Sequence, residues 1–295
     1  MTHVATLISN PARPALDDAA LARAAALLPR AESPRWLDRG IAADIPFSGS
    51  AADDNLASRL REAVPHVDVV VQPAAGRRKH LFVADMDSTM IGQECIDELA
   101  DFAGLKAHVS AITERAMRGE IAFEPALRER VALLAGLPGS VIDEVIKTRI
   151  KLVSGARALV ETMRANGAHT CLVSGGFTLF TNRVAEMIGF HENRANRLVV
   201  RPDGHLAGEV TEPILGREAK LATLIELRDQ LKLRKEDTLA VGDGANDLAM
   251  LGEAGLGVAY HAKPVVAAAA HARVEHGDLT ALLYMQGYRR EEFVS

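Results

Sequence analysis

Three short apolar runs constrain the fold of this 295-residue chain more than any other feature. They are Leu81–Ala84, His169–Val173 and Thr238–Val241, and each ends directly at a polar or glycine-rich segment. Continuous apolar runs that alternate with helical patterns are typical of parallel strands buried on both faces of a sheet. We therefore predict an α/β core, a doubly wound parallel sheet, in which the segments after these strands converge on one crevice.

The chain between the first two runs predicts a helical cap over that crevice. A simple crossover between parallel strands needs only about a dozen residues, and this connection is much longer. We place the cap at about residues 93–153, and further on Pro202-Asp203-Gly204 predicts a hairpin. The predicted cap helices are Glu94–Ala103, Lys106–Met117, Glu124–Leu134 and Val141–Ile150, and the hairpin strands are Arg197–Val200 and Leu206–Val210.

The first 76 residues follow a different pattern, with the element order β-α-β-β-α-β. This order predicts a small α+β domain of the ferredoxin-like or ACT-like type, with two helices on one sheet face. Pro73–Gly76 and the basic cluster Arg77–His80 are interpreted as a solvated linker, which gives domains at 1–76 and 77–295. The predicted elements are the strand Val4–Ser9, the helix Asp17–Leu28, extended segments in Arg35–Phe47, the helix Ala52–Val64 and the strand Val67–Val71.

Composition and charge exclude several classes of protein. The formal net charge is -5, from 34 Lys plus Arg against 39 Asp plus Glu, so neither nucleic acid nor a membrane is expected as a partner. Cys95 and Cys171 lie far apart without CxxC spacing, which predicts reduced thiols. The N-terminus has no basic stretch followed by an apolar one, so we expect a cytoplasmic protein.

The first polar segment, Asp85–Thr89, reads Asp-Met-Asp-Ser-Thr directly after a predicted strand. Of two carboxylates spaced in this way, one can attack phosphorus and bind a metal, while the other handles the proton of the leaving group. A polar segment that only caps the following helix is the alternative.

The second segment, Ser174–Phe177, offers a hydroxyl and the backbone N–H groups of two glycines to phosphate oxygens. A helix that starts at Thr178 would add its dipole, and a simple strand-to-helix turn is the alternative. Lys220 precedes another apolar run and could reach phosphate and Asp85, although a lysine on a helix is usually just solvated.

The third segment, Gly242–Asp247, clusters oxygen ligands of the kind that Mg²⁺ favours. Its acidic spacing excludes an EF-hand, and the chain has neither a dinucleotide fingerprint nor a GxxxxGK[ST] loop. An acidic pair, a Ser-Gly segment, a lysine and an acidic segment follow one another in order. Together they indicate a phosphoryl-transfer site more strongly than any one does alone.

In these four motifs the chain resembles the haloacid dehalogenase superfamily, from about Leu81 to near the C-terminus. Glu94, the segment Phe123–Val131 and the three motif segments are similar to the family of phosphatases that hydrolyse phosphoserine. The resemblance implies that Asp85 is the nucleophile and Asp87 the acid and base. It further implies phosphate or substrate contacts from Ser174, Gly175, Lys220 and Asn246, and Mg²⁺ bound by Asp85, the backbone carbonyl of Asp87 and Asp243, with Asp247 in support.

The resemblance also assigns the substrate. Phosphoserine carries an ammonium and a carboxylate besides its phosphate, so recognition needs an acidic and a basic group. Glu94 and Arg130 fit those roles in the family pattern, with Met117 and Phe123 as apolar walls. Without the resemblance, the first pair would be an acid in a first helical turn and a solvated helix face, and the second pair cap core.

The implied activity is Mg²⁺-dependent hydrolysis of O-phospho-L-serine through an aspartyl phosphate, the last step of serine biosynthesis. One alternative is a phosphatase or phosphotransferase that acts on another small phosphomonoester. A phosphoaccepting signalling module is the alternative from another class, and the acidic pair and the long cap argue against it. A homodimer and an effector bound by the first domain are left open.

Overall fold

The computed structural model describes residues 2–49, 55–117 and 120–294, without the side chain of Met117. Its first part is an antiparallel sheet with two helices. The strands are β1 (His3–Ser9), β2 (Arg35–Asp38), β3 (Ala42–Phe47) and β4 (Val67–Pro73), and the helices are α1 (Asp18–Ala25) and α2 (Leu56–Ala63).

The N-terminal sheet has the order β2-β3-β1-β4, which confirms the predicted ferredoxin-like topology. Strand alternation divides the side chains of β1: Leu7 packs under α1 and α2, whereas Ile8 joins the core of the following domain. Asp17 caps α1 by accepting a hydrogen bond from the Ala20 N–H at 2.6 Å. Ala52–Asp54, the predicted start of α2, lie outside the described residues.

The junction between the two sheets is more buried than the sequence predicted. Arg77 donates to Asp44 at 2.6 Å and to the hydroxyl of Thr6 at 2.9 Å, and its side chain is only 11% exposed. Lys79 is also buried, and its ammonium donates to the carbonyl of Glu236 at 2.7 Å. The prediction of a solvated linker is therefore wrong at these positions, because distant residues supply partners for both cations.

The remaining strands and helices follow β4 in the chain. The strands are β5 (Leu81–Asp85), β6 (His169–Phe177), β7 (Glu192–Asn196), β8 (Leu198–Val200), β9 (Leu206–Val210), β10 (Thr238–Gly242), β11 (Leu256–Tyr260) and β12 (Ala272–Val274). The helices are α3 (Cys95–Phe102), α4 (Lys106–Met117), α5 (Phe123–Ala132), α6 (Ser140–Thr148), α7 (Ala156–Ala165), α8 (Thr178–Ile188), α9 (Arg217–Gln230), α10 (Leu248–Glu253), α11 (Pro264–Ala269) and α12 (Ala281–Met285).

Six parallel strands form the central sheet in the order β12-β11-β10-β5-β6-β7. Successive residues of β5 point to opposite faces, and both faces are buried. Phe82 packs with residues of α7, α8 and α12, whereas Leu81 packs with residues of α9, α10 and α11. This arrangement confirms the predicted doubly wound sheet.

The cap consists of α3 to α6, which confirms the four predicted helices to within a few residues at their ends. The chain leaves β5 and returns alongside itself, since Ile91 and Leu152 form an isolated antiparallel bridge. The hairpin of β8 and β9, also predicted, bonds to the cap: the N–H of Gly136 donates to the carbonyl of Leu206 at 2.9 Å. Hydrogen bonds thus hold the cap where it joins the core, at Ile91 and Leu152, and where it meets β9, at Gly136.

No helix in the described ranges combines the length and the apolar character that crossing a bilayer requires.

Candidate active site

The strand order places Asp85 at the centre of the carboxyl edge of the sheet. Asp85 is the last residue of β5, which lies between β10 and β6, so its neighbours are the segments after Gly242 and Val173. One oxygen of its carboxylate accepts from the N–H of Met86 at 2.8 Å and lies 2.6 Å from the ammonium of Lys220. The three predicted motif segments therefore converge, as the sequence indicated.

Lys220 forms a buried bridge between two carboxylates. Its ammonium also donates to Asp247 at 2.7 Å, and the side chains of Lys220 and Asp247 are 2% and 0% exposed. Burial lowers the pKa of Lys220, but the attraction of Asp85 and Asp247 outweighs burial and raises that pKa above its usual value. Lys220 is therefore a cation near neutral pH, in direct contact with the carboxylate of Asp85.

The carboxylates outnumber this cation. Ligand oxygens of Asp85, Asp243 and Asp247 lie within 4.8 Å of one another. Burial, followed by repulsion from Asp247, raises the pKa of Asp85 and that of Asp243, and Lys220 opposes both shifts. A divalent cation would offset the excess negative charge, and an all-oxygen donor set is the kind that Mg²⁺ prefers. The residues present fit a magnesium site.

Two glycines allow the third segment to turn tightly around its acids. A Cβ on Gly242 would lie 2.4 Å from the carboxyl carbon of Asp247, and one on Gly244 would lie 2.3 Å from the amide oxygen of Asn246. Either substitution would require a shift of the backbone or of these side chains. Steric crowding therefore favours glycine at both positions.

Asp87 connects the first and second segments. One of its oxygens accepts from the N–H of Cys95 at 2.9 Å, at the start of α3, and the other accepts from the hydroxyl of Ser174 at 3.0 Å. The same hydroxyl accepts from the N–H of Gly176 at 2.8 Å. These bonds hold the carboxylate of Asp87 beside the Ser174–Gly176 segment.

The Ser-Gly segment departs from regular pairing. Strand β6 continues to Phe177, but its register against β7 shifts between Val173 and Phe177, so Ser174–Gly176 leave the ladder. Helix α8 begins at Thr178, as predicted. A Cβ on Gly175 would lie 3.4 Å from the ring of Phe123, so the cap reaches down to this segment.

The cap brings Glu94 and Arg130, two side chains of opposite charge, to the cavity above Asp85. Glu94 accepts from the hydroxyl of Ser88 at 2.7 Å, and burial followed by repulsion from Asp87 raises its pKa to about 7. Arg130 donates through Nε to the carbonyl of Ala126 at 3.2 Å. Both residues line a cavity of about 300 Å³, together with Asp85, Asp87, Phe123, Ser174, Gly175, Asp243 and Asn246.

Some predicted and observed residues do not coincide. The side chain of Met117 lies outside the described part of the chain, and Lys220 and Asp247 lie beneath the cavity rather than in its lining. Asp97 and Lys263 line the cavity but were not predicted. Asp97 follows Glu94, the N-cap of α3, by three residues, and its N–H donates to the Glu94 carbonyl at 3.1 Å in the first turn. Nothing local to Lys263 indicates its location.

A buried carboxylate in contact with a buried lysine, beside an acidic cluster that could bind a metal, is an arrangement typical of phosphoryl transfer to aspartate. The sequence profile of the haloacid dehalogenase-like hydrolases matches residues 82–252. The chain belongs to this family. A phosphoserine phosphatase from Polaromonas sp. (strain JS666) is 48% identical over 208 residues, which cover 69% of this chain and 88% of that protein.

Solved structures show the same similarity. A probable phosphoserine phosphatase from Vibrio cholerae matches with a TM-score of 0.78 at 30% identity, over 99% of this chain and 88% of that one. A substrate-bound phosphoserine phosphatase matches with a TM-score of 0.64 at 39% identity, over 70% of this chain and 98% of that one. The chain spans 55% and 56% of the length of two further relatives that are named phosphoserine phosphatases, from Streptomyces coelicolor and Mycobacterium tuberculosis. These matches place the chain among the phosphoric monoester hydrolases.

Proposed function

We propose that this enzyme hydrolyses O-phospho-L-serine to L-serine and phosphate with Mg²⁺, as the last step of serine biosynthesis. The observation that carries the proposal is the shared cavity: Glu94 and Arg130 lie in the cap above Asp85 and Ser174. A substrate with an ammonium, a carboxylate and a phosphate would meet a complementary group at each of its charged ends.

The chemistry then follows from the positions of two carboxylates. Asp85 attacks phosphorus, and the bond to the serine oxygen breaks as Asp87 gives that oxygen a proton. Asp87 then takes a proton from the water that attacks the aspartyl phosphate, and phosphate leaves with Asp85 regenerated. A bound Mg²⁺ would supply charge neutralisation for the nucleophile and the phosphoryl oxygens. Ser174 and the Gly175 backbone would hold the phosphoryl group, with Lys220 supporting Asp85.

The cap residues would read the amino-acid part of the substrate. Arg130 donates through Nε to Ala126 and through Nη1 to Thr113, which would leave Nη2 and the second N–H of Nη1 for a substrate carboxylate. Glu94 would pair with the ammonium, and Phe123 forms an apolar wall. The second wall, Met117, stays a prediction, as do the metal contact through the Asp87 carbonyl and the contact from Asn246.

We also propose that residues 77–295 are the catalytic unit, with the cap at about 93–153, and that residues 1–76 are a separate domain. The support is the match to the substrate-bound phosphatase, which includes 98% of that protein but only 70% of this chain. An enzyme of this class therefore folds without a counterpart of the remainder. An ACT-like role for the first domain, a homodimer and a cytoplasmic location stay predictions.

The test is phosphate release from a panel of phosphomonoesters, with Mg²⁺ and with a chelator. We expect the largest kcat/KM for phosphoserine, a smaller one for phosphothreonine and p-nitrophenyl phosphate, and loss of all activity with chelator that added Mg²⁺ restores. Added alcohols distinguish hydrolysis from phosphoryl transfer. A preference for another phosphomonoester, or a long-lived phosphoprotein without turnover, would contradict the proposal.

A further inference from the structure

Asn196 is a buried polar residue outside the chemistry described above. It is the last residue of β7 and is 2% exposed. Its amide nitrogen donates to the carbonyl of Gly175 at 2.8 Å and to that of Leu215 at 3.1 Å, while its amide oxygen accepts from the N–H of Leu215 at 2.7 Å. The side chain thus uses both N–H donors and its carbonyl acceptor.

The two segments that this amide joins belong to different parts of the phosphate site. Gly175 follows Ser174 in the segment that leaves the strand ladder. Leu215 lies two residues before α9, the helix that carries Lys220. Because the ladder does not pair Ser174–Gly176, the carbonyl of Gly175 takes its hydrogen bond from the Asn196 side chain instead. One side chain therefore spans the gap between the phosphate segment and the lysine helix.

The cap rests on the same two segments. A Cβ on Gly175 or on Gly216 would lie 3.4 Å from the ring of Phe123. The ring therefore lies over both backbones that Asn196 connects. A change in their separation would alter the surface on which Phe123 packs, as well as the distance from Ser174 to the Asp85–Lys220 pair.

We infer that Asn196 is a positioning residue for phosphoryl transfer, one that fixes the Ser174–Gly175 segment relative to the start of α9. The inference deepens the proposed function and depends on it for the identity of the phosphate site. Asn196 has no contact with the amino-acid end of the substrate in this account, so its loss affects every phosphomonoester alike. This behaviour separates Asn196 from the cap residues.

Two variants test the inference. Asn196→Asp keeps the size of the side chain and the acceptor for Leu215, but it places an oxygen against two carbonyls. Asn196→Leu removes all three hydrogen bonds. The matched control is Asn193→Asp, on the same strand, because Asn193 accepts only from the hydroxyl of Thr181 at 2.6 Å in its described contacts and an aspartate can still accept there.

We expect kcat/KM to fall about 100-fold in both Asn196 variants, the effect of a displacement of about 1 Å near reacting groups. The loss should be equal for phosphoserine and p-nitrophenyl phosphate, and the inhibition constant of inorganic phosphate should rise. Asn193→Asp should stay within about twofold of the wild type, because the aspartate can keep the hydrogen bond from Thr181 and Asn193 bonds to neither Gly175 nor Leu215 in its described contacts. Circular dichroism and thermal unfolding identify which variants are folded at the assay temperature, and Asn196→Asp serves if Asn196→Leu is not.

Three results would overturn the inference. One is a folded variant with a lowered Tm but wild-type kinetics and phosphate inhibition, which would make Asn196 merely structural. Another is a loss confined to phosphoserine, which would place Asn196 in amino-acid recognition. The last is an equal loss in Asn193→Asp. If the wild type prefers a different phosphomonoester, the proposed substrate fails while the same comparison on that substrate still tests Asn196.

Discussion

Replacement of Arg130 by alanine tests how the enzyme selects its substrate. Arg130 lies in α5, where Nε donates to the carbonyl of Ala126 at 3.2 Å and Nη1 to the hydroxyl of Thr113 at 3.4 Å. Burial lowers the pKa of this guanidinium, against the attraction of Asp97 and Glu94, but an arginine stays charged near neutral pH. A charged, desolvated fork is the group that a substrate carboxylate would pair with.

The size of the effect follows from that burial. Loss of one partner from a desolvated, charge-assisted pair costs roughly 2–4 kcal/mol. At 1.36 kcal/mol per tenfold change in rate, this range corresponds to a fall of about 30- to 900-fold in kcat/KM for phosphoserine. An aryl phosphate has no carboxylate for Arg130 to bind, so its hydrolysis should change by only a few fold.

The assay compares kcat/KM for phosphoserine and p-nitrophenyl phosphate in Arg130→Ala, with Arg128→Ala as the control. Arg128 lies on the same helix, but its ion pair with Glu212 is exposed and therefore contributes little. We expect Arg128→Ala to resemble the wild type on both substrates. Equal loss of both activities in Arg130→Ala would refute the reasoning, because Arg130 would then support the fold or the phosphate site.

Three further predictions concern pH, the domain junction and the catalytic unit. Glu94, with a pKa of about 7, is neutral below that pH and charged above it, so KM for phosphoserine should fall as pH rises through 7; Glu94→Gln should remove this step, and its persistence would assign it to another group. Asp68→Ala removes the acceptor for the N–H groups of Glu275, His276 and Gly277. Each buried group left without a partner costs about 1–3 kcal/mol, so denaturant titration should show that the free energy of unfolding falls by at least about 2 kcal/mol while kcat is retained. An unchanged free energy of unfolding would contradict these contacts. A fragment of residues 77–295 should keep measurable activity but unfold at a lower temperature, since it loses the sheet packed on α12; a folded but inactive fragment would show that the first domain completes the site.

The parts of the structure that the sequence predicts are those with a local signal. Leu81–Ala84 is apolar at every position, in keeping with the burial of both faces of its strand. A run of this kind predicts a buried strand without tertiary information. Asp85 and Asp243 follow strands directly, and the carboxyl ends of parallel strands meet at one edge. Their convergence could therefore be predicted before any contact was known.

Other features depend on partners far away in sequence. Arg77 lies in a basic cluster after Pro73–Gly76, a pattern usual for exposed linkers, and its partners Thr6 and Asp44 come from the first domain. Asn196 ends an edge strand, where a polar residue is ordinary, and only the packing of β7 against Gly175 and Leu215 gives it a role. Long-range pairing of this kind leaves no periodicity in the chain.

Trapping of the phosphoenzyme tests the central claim most directly. Enzyme and Mg²⁺ are mixed with phosphoserine and quenched in acid within the first turnover, and borohydride then reduces any aspartyl phosphate to homoserine. Mass spectrometry of the peptide that contains β5 should show homoserine in place of Asp85, and Asp85→Asn, checked for deamidation, should give none. Rapid serine release with Asp85 unmodified, or a phosphoryl group on another residue, would contradict the assignment of Asp85 as the nucleophile.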